Sequence, residues 1–164
     1  MARADFSVLN ARNKFGVDGG GGMLMKPSNK KGEAEFAMTQ SMAVIDVAQL
    51  CEILGERDPD ELGSHLDMFF THFPTQIERI EAALATENLA DLVVIAHTAK
   101  GAAGMAAATR LCALLQEIES TATQGADAGT ALRTLVMLVR PEYARVQSFV
   151  ESGGLHEIPP EDAR

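Results

Sequence analysis

The chain has 164 residues, 46% of them apolar, with one Tyr, no Trp and a formal net charge of −9. That is enough for one domain with a sizeable core, and the abundance of Ala and Leu favours helices. Residues 1–45 carry six basic and four acidic groups and residues 46–164 carry eight and nineteen, so the part with folding potential is acidic, which argues against a nucleic-acid partner.

Met1 to Phe6 lack an apolar leader, and no apolar run approaches 18 residues, so no membrane insertion is expected. Residues 1–42 lack periodicity and hold four consecutive glycines, Gly19 to Gly22, and a basic stretch from Lys26 to Lys31. They read as a flexible tail or linker. Asp46 can cap a short helix carrying Val47, Leu50 and Ile53 or Leu54, with Gly55 ending it. Asp58-Pro59 supplies a cap followed by proline at the first helical position. The helix that follows sets Leu62, Leu66, Phe69, Phe73, Ile77, Ile80 and Leu84 on one stripe. Pro74 inside it predicts a kink near Phe70 or a break.

The polar connection Ala85 to Asn88 leads to a helix over about 88–106. Leu92 to Ala96 alone would also suit a buried strand, but helical phase continues for ten residues more. Leu92, Ile95, Ala99, Ala102 and Ala106 are expected on its core face, and His97, Lys100, Gly101 and Gly104 opposite. Val93 and Val94 fall near the His97 side and leave apolar surface there. Thr109 is the expected cap of the next helix, with Leu111, Leu114 or Leu115, Ile118 and Ala122 inward and Gly125 at its end. The last helix begins near Asp127 to Thr130, carries Leu132, Leu135 or Val136, Val139, Tyr143, Val146 and Val150, is bent by Pro141 and ends at Gly153-Gly154. Residues 154–164 read as a loose C-terminal tail. The fold expected for residues 43–153 is all-α, an antiparallel up-down-up-down four-helix bundle with a short additional N-terminal helix.

Two glycines inside a helix lose about 1 kcal/mol each against alanine. Close packing is one reason for them, with Gly104 as a C-cap; clearance for a partner is the other, since both share an arc with His97. Lys100 is the only lysine after residue 45 and stands one turn from that histidine. Cys51 and Cys112 lie on helical patterns outside any CxxC, as expected of a reduced, cytoplasmic protein. His65 and His72 are seven apart without partners at ligand spacing, so no metal site is expected.

The run His97-x-x-Lys100-Gly101, a small-residue turn, Leu111, Leu115 in the usual cysteine position and Ile118-Glu119 resembles the signature of histidine-containing phosphotransfer (HPt) domains. The resemblance covers about residues 43–152, with Ala107 where the family commonly has a turn glycine. It implies a phosphorelay intermediate of two-component signalling, phosphorylated on His97, with Lys100 neutralising phosphoryl charge and Val93, Val94, Gly101 and Gly104 at the docking face. Glu119 matches a family position and is a candidate for holding the His97 ring; a plain surface glutamate is the alternative. The implied partners are response-regulator receiver domains and hybrid histidine kinases, with Mg2+ brought by the receiver and no cofactor on this chain. No Walker motif or nucleotide loop is present, so a monomeric phosphocarrier rather than a kinase is expected. The rival readings are an interaction module that docks without carrying phosphate, and a structural or metal-binding helical bundle.

Overall fold

The Asp46 carboxylate accepts from the Gln49 amide at 2.9 Å and so starts the first helix, α1 (Val47–Leu54), which Gly55 ends at φ 68°. This computed structural model describes residues 42–125 and 129–158. All but the last residue of the expected tail over residues 1–42, the Asp127 end of the expected helix start at Asp127 to Thr130 and the last six residues lie outside them. Asp58 then caps α2 (Pro59–Ala85) by accepting from the amides of Asp60 and Glu61. Asn88 caps α3 (Leu89–Met105): its Oδ1 accepts from the Asp91 amide and its Nδ2 donates to the Asp91 carboxylate. Next come α4 (Thr109–Thr123) and α5 (Gly129–Glu151), and a 3-10 turn over Gly154–His156. The described residues contain no strand.

The four long helices contact one another in a closed ring, α2 on α3, α3 on α4, α4 on α5 and α5 on α2, with α1 against α2. Leu66, Phe73, Ile77, Leu92, Leu115, Ile118, Leu132 and Val139 fill the middle and are fully buried. On α3 the buried residues include Ala96, Ala99 and Ala103, and short side chains there let α4 approach closely.

Pro74 neither breaks nor ends α2. It removes the amide that would bond the Phe70 carbonyl, and the Tyr143 hydroxyl on α5 donates to that carbonyl at 3.1 Å instead. Thr109 is the first residue of α4, not its cap; the cap position is Ala108, and the Thr109 hydroxyl donates to the Ala43 carbonyl at 2.6 Å, tying the chain before α1 to the α3–α4 turn. Ala102 is exposed, whereas Ala96 and Ala103 are buried, so the core face of α3 is rotated from the expected stripe. The C-terminal boundary also moves: Leu155 is buried, and a Cβ on Gly154 would lie 2.5 Å from the Phe149 ring. Packing beyond residue 153 is therefore part of the fold.

Candidate functional site

The site is built by the hairpin of α3 and α4. Ala106, Ala107 and Ala108 make the turn, all buried, with amides bonded back to Ala102, Gly104 and Ala103 and with the Ala107 carbonyl accepting from the Asp46 amide at 2.9 Å. Ala107 takes φ 48°, the left-handed region that disfavours a side chain by about 1 kcal/mol. Burial of its methyl offsets much of this, at about 0.8 kcal/mol per buried carbon. A hairpin centred on residue 108 places residue 97 opposite 119 and 100 opposite 116, since each arm climbs about 1.5 Å per residue.

The side chains meet accordingly. His97 Nδ1 lies 2.9 Å from Glu119 Oε1, Lys100 Nζ donates to Glu119 Oε2 at 2.6 Å, and the same ammonium donates to Gln116 Oε1 at 2.7 Å. The His97 side chain is 68% exposed, against 22% for Lys100 and 19% for Glu119. The Lys100 ammonium first, and the His97 ring second, hold the Glu119 carboxyl below the usual glutamate range, against partial desolvation. An ionised carboxylate only accepts hydrogen bonds, so the proton of the imidazole sits on Nδ1 and its lone pair is on Nε2, toward water. The arrangement offers a ring nitrogen with a carboxylate behind it.

Gly101 and Gly104 lie within α3, which Ala106 caps, so neither ends the helix. A Cβ added at either would meet nothing within 4 Å. Close packing among the described residues therefore does not account for them, and no described residue covers the surface beside them. Val94 is 63% exposed on that surface. Val93 is not with it: half-buried, it packs against the core. Gln116 was not anticipated from the sequence, although pairing across a turn centred on residue 108 places it opposite Lys100. Cys112 lies behind the site, its thiol 3.8 Å from the Lys100 carbonyl and pushed up by burial. Among the described residues no group of three or more His, Cys, Asp or Glu is placed to hold a metal ion, and no helix is long and apolar enough to cross a membrane.

Fold and site together define a helical bundle that presents a solvent-facing histidine, His97, backed by the Glu119 carboxylate. The sequence profile of the Hpt domain matches residues 64–148, just over half of the chain and a span containing the whole site, and the chain belongs to the Hpt domain family. No curated protein and no solved structure matches it. Hpt domains are helical bundles with a phosphotransfer role in two-component signalling, and they are phosphocarriers rather than enzymes.

Proposed function

We propose that this Hpt domain is a phosphorelay intermediate in which Nε2 of His97 takes a phosphoryl group from a receiver-domain aspartate and passes it to another receiver domain. The observation that carries the reading is the 2.9 Å contact of Nδ1 with Glu119 on a ring that stays 68% exposed. In the forward step the Nε2 lone pair attacks phosphorus, the bond from phosphorus to the aspartate oxygen breaks, and the aspartate leaves as a carboxylate. The ring becomes an N-phosphorylated imidazolium that keeps its Nδ1 proton, and its positive charge lies against Glu119. Attack by a second aspartate oxygen reverses these changes and frees the neutral ring.

Such transfer needs positioning and charge neutralisation more than covalent help. Glu119 fixes the ring and its tautomer. Lys100 directs two of its three ammonium donors to Glu119 and Gln116, which keeps Glu119 ionised and leaves one donor for a phosphoryl oxygen. Gly101 and Gly104 leave clearance for the incoming domain, with Val94 as apolar contact. In this reading Mg2+ comes with the receiver, and the partners are receiver domains and the hybrid kinases that contain them, in the cytoplasm. The test is incubation with a phosphorylated receiver domain. Acid-labile, base-stable label is expected on the wild type and none on His97→Gln; equal label on both overturns the assignment.

A further inference from the structure

The transfer chemistry gives Gln116 no direct part. This residue is exposed on α4, three positions before Glu119, and its Oε1 accepts from Lys100 Nζ at 2.7 Å. An ammonium only donates, so the amide oxygen faces it and the amide NH2 is turned away. Lys100 is thereby held by Gln116 and Glu119 together, with 22% of its side chain exposed. Both acceptors draw it to the α4 side.

A phosphoryl group arrives elsewhere. Nδ1 of His97 is turned to Glu119, and Nε2 lies across the ring from Nδ1, so phosphorus on Nε2 stands away from both acceptors. While Gln116 and Glu119 are bonded, the ammonium has one donor left for that group. A second contact requires the release of an α4 acceptor. The two are unequal, because an ammonium bonds a carboxylate more strongly than a neutral amide. Gln116 is the one that yields.

The surface allows the move. Lys100 stands one turn from His97, and Gly104 one turn beyond Lys100, so the three are neighbours on α3. A Cβ on Gly104 would meet nothing within 4 Å, so no described side chain blocks the flexible four-carbon stem there.

We propose that Gln116 sets the phosphoryl balance between His97 and the receiver aspartate by competing with the phosphoryl group for Lys100. The inference rests on the phosphorelay reading for the chemistry at Nε2. In the unphosphorylated domain the bond from Nζ to Gln116 Oε1 is made. When Nε2 is phosphorylated that bond opens, one from Nζ to a phosphoryl oxygen closes, and no proton changes atom. The lost bond disfavours the phosphohistidine and so favours onward transfer. Gln116 is a positioning residue that acts through Lys100. A hydrogen bond with one charged partner contributes about tenfold or more to an equilibrium, and at this exposed position about fivefold.

The test is the plateau ratio of phosphohistidine to phosphoaspartate when the full chain is mixed with a receiver domain phosphorylated by acetyl phosphate and freed of the reagent. The receiver used is the one that labels the wild type fastest. Gln116→Leu keeps the size and helix propensity of the side chain and is expected to shift the ratio toward His97 about fivefold. Gln116→Glu keeps the shape, holds the ammonium more tightly and is expected to shift it toward the receiver. In a Lys100→Met chain, where the contested ammonium is gone, Gln116→Leu is expected to move the ratio by less than about twofold. A merely structural role would treat Gln and Glu alike and would not depend on the lysine. An unchanged ratio in Gln116→Leu, or the same shift with and without Lys100, overturns the inference and leaves the relay reading standing. Absence of label on His97 with every receiver domain overturns both.

Discussion

Removing the Glu119 carboxylate separates positioning of the ring from binding of a partner. In Glu119→Ala the Nδ1 proton loses its acceptor and Lys100 keeps only Gln116 of its two partners. Alanine is the best helix former and the residue lies on a helix surface, so the fold is retained. Two unit charges about 4 Å apart interact by about 1 kcal/mol in water and about 4 kcal/mol near a protein surface. His97 is 68% exposed and Glu119 19%, so the imidazolium of the transition state loses about 1–2 kcal/mol, nearer the aqueous limit. That slows transfer about tenfold. Rapid-quench single-turnover transfer from a phosphorylated receiver reads this as a lower maximal rate at unchanged half-saturating concentration. Long-range nitrogen-proton correlation spectra of the imidazole supply a readout that a merely structural role would not move: the Nδ1–H tautomer dominates in the wild type and gives way to Nε2–H in the variant. A maximal rate within twofold of wild type, or an unchanged tautomer, refutes the reasoning.

Gly104→Gln places a side chain into open space, so it raises stability by about 0.5 kcal/mol through helix propensity while slowing transfer; a variant as fast as wild type shows that the glycine provides no clearance. Tyr143→Phe strands the Phe70 carbonyl freed by Pro74 and lowers unfolding free energy by about 1–2 kcal/mol, and Pro74→Ala in the same chain recovers part of it, as urea titrations of the double-mutant cycle reveal. Glu142, buried, receives Arg110 Nη2 at 3.2 Å and Arg145 Nη1 at 2.8 Å, with Arg110 Nε 3.1 Å from its other oxygen but poorly aligned. Glu142→Ala leaves Arg110 enclosed without its acid and destabilises by about 3 kcal/mol; a urea midpoint corresponding to under 1 kcal/mol would contradict this. Glu119 has a lowered folded-state pKa, so its contribution to stability is complete above the ordinary glutamate value and disappears as pH falls through the lowered one. Wild type therefore loses this increment on the acid side while Glu119→Ala does not, and parallel stability curves for the two would contradict the ion pair.

The caps at Asp46 and Asp58, the α2 stripe from Leu62 to Ile80 and the His97-x-x-Lys100-Gly101 run are local features, and each could be read from residues within a turn or two of one another. Pro74 shows where that reading stops. The break it could have caused does not occur, and the hydroxyl that satisfies Phe70 comes from Tyr143, 73 residues away. Ala102 shows another limit: α3 carries apolar residues around most of its circumference, so periodicity alone cannot fix which of several small residues face inward.

The sequence by itself determined which residue types the site holds, because helical spacing is a property of neighbouring residues. Only the tertiary structure decided that Lys100 rests on Glu119 and Gln116 and that no other described residue packs against the two glycines. Those facts depend on how α3 lies against α4, α2 and α1, and that is set by the buried Ala106–Ala108 turn and by side chains meeting across helices, which no spacing along one helix encodes.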